Sequence, residues 1–230
     1  MHYAFTPRIP AVPVAGSNEL FPVHRIYCVG RNYAEHAKEM GGTGREAPFF
    51  FMKPADAVLP VPHDAIGEMP YPDMTSDLHH EIELVVAIGK GGKNIAAADA
   101  LQYVWGYAVG LDMTRRDLQG EAKKLGRPWC TGKGFDNAAP IAPIHRVAET
   151  GNITHGTIHL DVNGEKRQSS DIGKLIWNVA ETIEHLSKYY ALQPGDLIFS
   201  GTPEGVAAVE RGDLLEGRID GLGALRIKIV

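Results

Sequence analysis

The sequence predicts a β-rich α+β fold. Most of its apolar segments are short runs bounded by Gly or Pro, as strands are, and only one long segment repeats apolar residues at helical spacing. This distribution differs from the regular alternation of strands and helices that builds a doubly wound parallel sheet. A chain of 230 residues can bury a core large enough to need no disulfide or structural metal.

The N-terminal segment is rich in proline, at Pro7, Pro10, Pro13 and Pro22. Proline lacks the amide hydrogen that a helix needs, and it disfavours helical backbone in the residue before it. We therefore expect residues 1–24 to form an extended arm. We expect residues 25–230 to form a single domain, across which this arm lies.

Apolar runs and their breakers predict the elements of the first half of the domain. Gly30 closes the first strand, Asn32 is a plausible helix cap, and Pro54 ends the second strand. In order, we predict a strand at 26–29, a short helix at 33–40, a strand at 49–52, proline-rich loop and edge structure at 58–72, a strand at 81–88, a helix from about residue 96, an apolar run at 104–111 and a helix at 114–125.

The second half is predicted to contain a hairpin and the longest helix. Asn163-Gly164 lies between two strand-like runs, at 158–162 and 166–168, and this dipeptide is typical of tight hairpin turns. Apolar residues recur at helical spacing between residues 172 and 189, which predicts a helix. A turn at 194–196 then leads into a strand at 197–199.

Charge and apolar content limit the classes of partner. The net charge of −5, without a stripe of Lys and Arg, argues against nucleic acid but leaves an anionic substrate open. No apolar run reaches the length of a membrane span, and residues 1–22 do not resemble a signal peptide. The two cysteines, Cys28 and Cys130, suggest no disulfide scaffold, so we expect a cytoplasmic protein.

Three familiar catalytic motifs are incomplete or missing. The stretch at 80–84 begins like a zinc-protease helix, but Leu84 replaces the second histidine. The glycine-rich run at 89–94 has the wrong spacing for a phosphate loop, and the sequence has no Gly-x-Ser-x-Gly elbow. Cys130 acting as a nucleophile with a distant histidine remains an alternative.

Three carboxylates form the strongest candidate site. Glu81 and Glu83 are two residues apart on a predicted strand, so their side chains project from the same side. Asp112 ends the apolar run at 107–111, where a side chain can enter a cleft. An oxygen-only ligand set suits Mg²⁺ or Mn²⁺ better than zinc. A solvated strand end for the glutamates and a helix cap for Asp112 remain open.

His36, Glu39 and Lys133 are further candidates. His36 and Glu39 share one face of the predicted helix, an arrangement that suits a general base oriented by a carboxylate, although such pairs are often only solvated. Lys133 lies in a Thr-Gly-Lys-Gly stretch, which we interpret as a flexible loop. It either pairs with a substrate carboxylate or is simply exposed.

In order along the chain, five stretches resemble motifs of the fumarylacetoacetate hydrolase family. They are Tyr-Cys-Val-Gly-Arg-Asn-Tyr-Ala-Glu-His at 27–36, Phe-Met-Lys-Pro at 51–54, Glu-Ile-Glu-Leu at 81–84, Leu-Asp-Met-Thr-Arg-Arg-Asp-Leu-Gln at 111–119 and Gly-Thr-Pro-Glu-Gly-Val at 201–206. The resemblance implies a mixed β-roll of that family's C-terminal domain type with a few short helices, usually as a homodimer.

The resemblance also implies roles for individual residues. The metal, Mg²⁺ or Mn²⁺, is expected on Glu81, Glu83 and Asp112, and His36 with Glu39 is expected to activate water on a segment that closes over the site. Gln119 and Lys133 match positions that contact the substrate and the developing charge. The positions expected to line the substrate pocket are Arg31, Tyr33, Lys53, Arg116 and Thr202.

The implied reaction is hydrolysis of the carbon–carbon bond of an acylpyruvate. Hydroxide would attack the distal carbonyl, and the metal would act as a Lewis acid toward the pyruvate enolate that leaves. The stretches at 31–36 and 49–54 most resemble bacterial members that cleave fumarylpyruvate, a dicarboxylic diketo acid, to fumarate and pyruvate. Isomerisation of 2-hydroxyhepta-2,4-diene-1,7-dioate and decarboxylation of oxaloacetate are alternatives on the same site, and a non-catalytic binding protein is another.

Overall fold

A computed structural model describes residues 2–34 and 45–230 of the chain. These residues form seventeen strands: β1 (Ala11–Pro13), β2 (Leu20–Pro22), β3 (Ile26–Gly30), β4 (Phe49–Lys53), β5 (Val58–Pro60), β6 (Gly67–Met69), β7 (Leu78–His79), β8 (Ile82–Ile88), β9 (Val104–Leu111), β10 (Thr114–Arg115), β11 (Ala139–Ile141), β12 (His145–Arg146), β13 (Thr157–Val162), β14 (Glu165–Asp171), β15 (Leu197–Phe199), β16 (Leu214–Ile219) and β17 (Gly223–Ile229).

Helices in the described residues are few and mostly short. The α-helices are α1 (Ala97–Ala100), α2 (Arg116–Lys124), α3 (Cys130–Lys133), α4 (Val147–Thr150) and α5 (Val179–Tyr189), and single 3-10 turns lie at Ala55–Ala57, Leu101–Tyr103 and Ile172–Lys174. None of these helices is long and apolar enough to cross a membrane. The predicted β-rich α+β class is confirmed.

The larger of the two main sheets is mixed and has eight strands. Seven of them lie in the order β4-β3-β15-β8-β9-β11-β5, and β12 also pairs with β9. β15 runs parallel to β3 and antiparallel to β8, while β8 and β9 are antiparallel over nearly their whole length. β8 is central in this sheet and every residue in it is buried, which agrees with the apolar run at 84–88 that makes up most of it.

Side chains of β8 alternate between two apolar clusters, because successive strand residues face opposite sides of a sheet. Leu84 and Val86 belong to the cluster that contains the apolar residues of the second main sheet. Val85 and Ala87 belong to the cluster on the other face, which contains the N-terminal apolar residues. The central strand is therefore covered on both faces.

The second main sheet has five strands in the order β14-β13-β16-β17-β6. The hairpin predicted around Asn163-Gly164 is confirmed: it joins β13 to β14, and both turn residues have positive φ, +53° and +80°. The proline-rich stretch predicted as loop and edge structure contributes β5 and β6, each the outermost strand of its sheet.

Within the arm predicted at 1–24, β1 and β2 pair as a small antiparallel hairpin. Val12 and Phe21 point from this hairpin into the cluster on the outer face of the larger sheet and are buried. This segment therefore adds apolar cover to the sheet, whereas the first residues described, such as Tyr3 and Phe5, are exposed.

The prediction of one long helix at 172–189 is wrong for its first third. The structure has a 3-10 turn at Ile172–Lys174 and begins α5 only at Val179. Asn178 caps α5 through a reciprocal capping box with Glu181, which satisfies amide groups that a continuous helix would have used internally. The apolar residues before Asn178 matched the helical repeat but pack as irregular backbone.

Two local predictions also need correction. Lys133 is not in a flexible loop but in the one-turn helix α3, and it is 2% exposed. Asn32, the predicted helix cap, instead joins distant segments: its amide donates to Trp177 O and Ser200 O, and its oxygen accepts from Trp177 N. Residues 35–40 of the helix predicted at 33–40 lie outside the described residues.

Candidate active site

A cleft of about 370 Å³, part of it open to solvent, lies near the ends of β3, β4, β8 and β9. Its lining combines charged and polar residues with aromatic residues. Its lining consists of Val29, Gly30, Arg31, Phe49, Phe51, Glu81, Glu83, Asp112, Arg116, Gln119, Trp129, Lys133 and Thr202. Eight of the twelve site residues predicted from sequence are among them.

The three predicted carboxylates meet at the base of this cleft. Glu81 precedes β8, Glu83 is on β8, and Asp112 directly follows the paired strand β9. One oxygen from each lies within 4.8 Å of the others, and all three residues are buried. The antiparallel pairing of β8 with β9 brings Asp112 to the glutamates, since Ile82 is opposite Leu111.

Glu83 is the least compensated of the three carboxylates. Burial, with repulsion from Asp112 and Glu81, raises its pKa well above the usual value. Its Oε2 accepts a hydrogen bond of 2.7 Å from the Gly201 N–H. Glycine is required at position 201, because its φ is +102° and a Cβ would lie 2.6 Å from Asn32 Cβ.

Two buried lysines hold Asp112 from opposite sides. Lys53 Nζ lies 2.7 Å from Asp112 Oδ1, and Lys133 Nζ lies 2.8 Å from Asp112 Oδ2. Lys133 also donates to Glu81 Oε2 and to Thr114 Oγ1, each at 2.7 Å. Burial alone would lower the pKa of Lys133, but Asp112 and Glu81 outweigh it and raise that pKa.

Arg116, at the first position of α2, organises the rim of the cleft. Its Nη2 donates to Glu81 Oε1 at 2.5 Å, and its Nη1 donates to Gln119 Oε1 at 2.7 Å. Its Nε donates to His79 Nδ1 at 3.3 Å, so the other ring nitrogen of His79 donates to Asp77. Because the Gln119 oxygen is engaged, its NH₂ group is the part that can serve as a donor.

Arg31 also lines the cleft and has an unusual backbone conformation. Its φ is +56°, in the left-handed region that side-chain-bearing residues rarely adopt. Its guanidinium carbon is 5.9 Å from the centre of the Phe49 ring, and its buried Nε has no hydrogen-bond partner among the described residues. A cation held in this way is available to an anionic group in the cleft.

Four predicted site residues are not in the lining. Lys53 lies beneath the cleft, where its ammonium also donates to the carbonyls of Met113 and Lys133, so it supports Asp112 rather than facing a ligand. Tyr33 is 2% exposed in the core, and burial raises the pKa of its hydroxyl. His36 and Glu39 lie outside the described residues.

The aromatic wall was not predicted. Phe49 and Phe51, two apart on β4, each contact the Trp129 ring, at centroid distances of 5.5 and 5.7 Å. The sequence signal was three consecutive phenylalanines at 49–51, which we interpreted as a strand and as part of a family motif. Trp129 follows Pro128, and no residue near it in sequence indicated that it would lie in the cleft.

The residues present fit a divalent metal ion. The donor set consists of hard carboxylate oxygens without sulfur or imidazole, and the spacing lets them share one ion. Repulsion among three buried carboxylates, expressed in the raised pKa of Glu83, is a cost that a bound cation would remove.

Sequence and structure comparisons identify the relatives of this chain. A fumarylpyruvate hydrolase from Ralstonia sp. is 45% identical over 187 residues, which cover 80% of this chain and 93% of the relative. The mitochondrial oxaloacetate tautomerase of Rattus norvegicus is 40% identical over 207 residues, 89% of this chain and 90% of the relative. The crystal structure of fumarylpyruvate hydrolase from Pseudomonas aeruginosa with Mn²⁺ and pyruvate superposes with a TM-score of 0.98 at 55% identity, covering 100% of this chain and 99% of that one.

A family model for the C-terminal domain of fumarylacetoacetate hydrolase matches residues 25–230. This match and the superposition confirm the predicted fold type. The chain belongs to the fumarylacetoacetate hydrolase family.

Proposed function

We propose that this protein is a metal-dependent hydrolase that cleaves the carbon–carbon bond of an acylpyruvate, with fumarylpyruvate as the preferred substrate. The observation that carries the proposal is the convergence of Glu81, Glu83 and Asp112 in a cleft that also presents Arg31 and Gln119. Relatives that bear the name fumarylpyruvate hydrolase, one of them in complex with Mn²⁺ and pyruvate, support it.

In this proposal Glu81, Glu83 and Asp112 hold Mg²⁺ or Mn²⁺. The ion supplies Lewis-acid stabilisation of the negative charge that develops on the pyruvate half. Lys53 and Lys133 keep Asp112 in place for that role. His36 and Glu39, outside the described residues, remain the proposed water-activating pair.

The geometry changes the role proposed for Lys133. An ammonium group has three hydrogens, and those of Lys133 point to Glu81, Asp112 and Thr114. None is left for a substrate oxygen, so we assign Lys133 to positioning the carboxylates. Gln119, whose NH₂ group can donate, is the better candidate to stabilise the oxyanion formed at the attacked carbonyl.

Arg31 gives the site its proposed preference for a dicarboxylic substrate. Arg31 lines the same cleft as the carboxylate cluster, and its Nε has no protein acceptor among the described residues. Arginine forms short, charge-assisted hydrogen bonds with carboxylates. The fumaryl carboxylate of fumarylpyruvate would supply the acceptor.

A second candidate is tautomerisation of oxaloacetate, which is the activity named for the rat relative. It uses an enolate of the same kind and needs no attacking water, so the carboxylate cluster serves both reactions. The isomerase and decarboxylase alternatives also use such an enolate and need no attacking water.

The two candidates separate in one assay. Purified protein with Mn²⁺ is given fumarylpyruvate in one sample and enol-oxaloacetate in another, and pyruvate and the keto–enol ratio are measured in both. The proposal predicts stoichiometric pyruvate and fumarate from the first sample. Rapid tautomerisation of oxaloacetate without fumarylpyruvate cleavage would establish the second candidate instead.

A further inference from the structure

Gln168 links the second main sheet to the cleft. It is on β14, is 1% exposed, and its side chain makes four hydrogen bonds. Its Oε1 accepts from the Ile82 N–H at 3.1 Å and lies 2.9 Å from His80 Nδ1. Its Nε2 donates to Pro203 O and to Thr202 Oγ1, both at 2.8 Å.

The backbone partners leave only one orientation for this amide. A peptide N–H can only donate, so the atom facing Ile82 must be the Gln168 oxygen. A peptide carbonyl can only accept, so the atom facing Pro203 must be the Gln168 nitrogen. The two assignments agree, and each partner belongs to the rigid main chain.

This orientation determines what the Thr202 hydroxyl can do. Thr202 Oγ1 must accept a hydrogen from Gln168 Nε2, so its own hydrogen points elsewhere. Thr202 is 3% exposed and lines the cleft with the three carboxylates. Among the described residues, no protein acceptor is recorded for that hydrogen.

We propose that Gln168 is a positioning residue that fixes the Thr202 hydroxyl as a hydrogen-bond donor toward the carboxylate of a bound 2-oxo acid. This inference is based on the proposed function and extends it to a residue outside the cleft lining. A carboxylate has only acceptor oxygens, so it gains from a fixed donor and is repelled by a hydroxyl whose lone pairs face it.

The orientation of the hydroxyl contributes to affinity because it is fixed before the ligand arrives. In the absence of Gln168, the Thr202 hydroxyl could turn toward other acceptors, and the ligand would have to reorient it on binding. Gln168 therefore acts on ligand binding through Thr202, without touching the ligand or the metal-binding carboxylates.

The test is a double-mutant cycle read by ligand binding. Wild-type protein, Gln168→Met, Thr202→Val and the double variant are loaded with Mn²⁺, and oxalate binding is measured by calorimetry. Oxalate is a stable, acceptor-only analogue of the pyruvate enolate. Thr202→Val is expected to weaken oxalate binding about 10- to 100-fold, the range for a hydrogen bond to a charged group.

Gln168→Met is expected to weaken oxalate binding about tenfold in the wild-type background, and less than about twofold once Thr202 is Val. Mn²⁺ affinity should stay unchanged in all four proteins, and Gln102→Met, on an exposed glutamine, should match wild type. In steady-state kinetics, Gln168→Met should raise KM for fumarylpyruvate with little change in kcat.

Equal losses from Gln168→Met in both Thr202 backgrounds would overturn the inference, because a general structural effect does not depend on the hydroxyl. Unchanged oxalate binding in Gln168→Met would also overturn it while leaving the proposed function intact. If Mn²⁺-loaded wild-type protein binds no oxalate at all, the proposed function and the inference both fail.

Discussion

Glu83 differs from its two carboxylate neighbours in its surroundings. Among the described residues, Glu81 pairs with Arg116 and Lys133, and Asp112 pairs with two lysines, whereas no ion pair reaches Glu83. Burial, with repulsion from Asp112 and Glu81, raises its pKa well above the usual value. Two of the carboxylates are therefore held by lysine and arginine, whereas the third has no cationic partner among the described residues.

Glu83→Gln should change metal affinity and metal-free stability in opposite directions. Loss of one metal ligand should weaken Mn²⁺ binding by more than about 100-fold. Substitution of residues that only support the ligands already weakens metal binding about 10- to 100-fold. The metal-free variant should melt at a higher temperature, because a buried like charge is gone. Calorimetric Mn²⁺ titration and thermal melts measure both quantities.

Glu165→Gln, which changes an exposed carboxylate of the β13–β14 turn, serves as the control for this prediction. It should leave the Mn²⁺ affinity and the melting temperature of the metal-free protein unchanged. Wild-type Mn²⁺ affinity in Glu83→Gln would exclude Glu83 as a ligand.

Arg31→Met should discriminate between substrates by their distal group. Loss of a charge-assisted hydrogen bond should lower kcat/KM for fumarylpyruvate about 10- to 100-fold. For acetylpyruvate, which lacks the distal carboxylate, kcat/KM should decrease much less. Steady-state kinetics on both substrates checks this, and equal losses on the two would show that Arg31 does not bind the distal carboxylate.

The sequence allowed the carboxylate cluster to be predicted, because Glu81 and Glu83 are two residues apart and Asp112 directly follows an apolar run. It did not allow Lys133 to be placed, since Thr-Gly-Lys-Gly is typical of exposed loops and its partners are 19 to 52 residues away. Gln168 was missed for the same reason: it bonds to Ile82 across 86 residues. Local sequence patterns do not indicate contacts between residues so far apart in the chain.

Among the elements, α5 shows how capping overrides an apolar repeat. The repeat extends back to Leu175 and Ile176, but the helix begins at Val179 because the Asn178 capping box satisfies the free amides there. The Ile176 N–H instead donates to Asn32 O, near the carboxylate cluster. The strand predicted at 81–88 and the apolar run at 104–111 match β8 and β9 within one residue, since burial on both faces makes these strands mostly apolar.

Asn178→Ala should destabilise the protein by about 1 kcal/mol, the usual cost of losing a helix cap. In a chain of this size, that corresponds to a decrease in Tm of about 2–4 °C. Lys188→Ala, which removes only an exposed i,i+4 pair on the same helix, should cost less than about 0.5 kcal/mol. Chemical denaturation of both variants gives the comparison, and equal costs would contradict the importance of the cap.

The two main sheets and the N-terminal hairpin together cover the cleft-forming strands on both faces. β4 is the terminal strand of the larger sheet, and among the described residues its Phe49 and Met52 are each 37% exposed. Exposed apolar edge strands favour association. Tyr189, which is 70% exposed, contacts Phe50 of the same strand.

The homodimer expected from the family resemblance is consistent with this exposed edge. Light scattering coupled to size exclusion should give a mass of about twice the 25.0 kDa of one chain. Met52→Glu should shift the mass toward that of one chain, whereas Glu165→Gln should not. A wild-type mass of one chain at micromolar concentration would contradict the dimer.

In the proposed function, the carboxylate cluster holds the metal ion on which acylpyruvate cleavage depends. The most direct measurement is a Mn²⁺ titration of chelator-treated protein, with bound metal and pyruvate release from fumarylpyruvate measured in the same samples. We expect no pyruvate release without metal, recovery in proportion to the first ion bound per chain, and no recovery in Asp112→Asn. Full pyruvate release by the metal-free protein would show that cleavage does not depend on a metal ion.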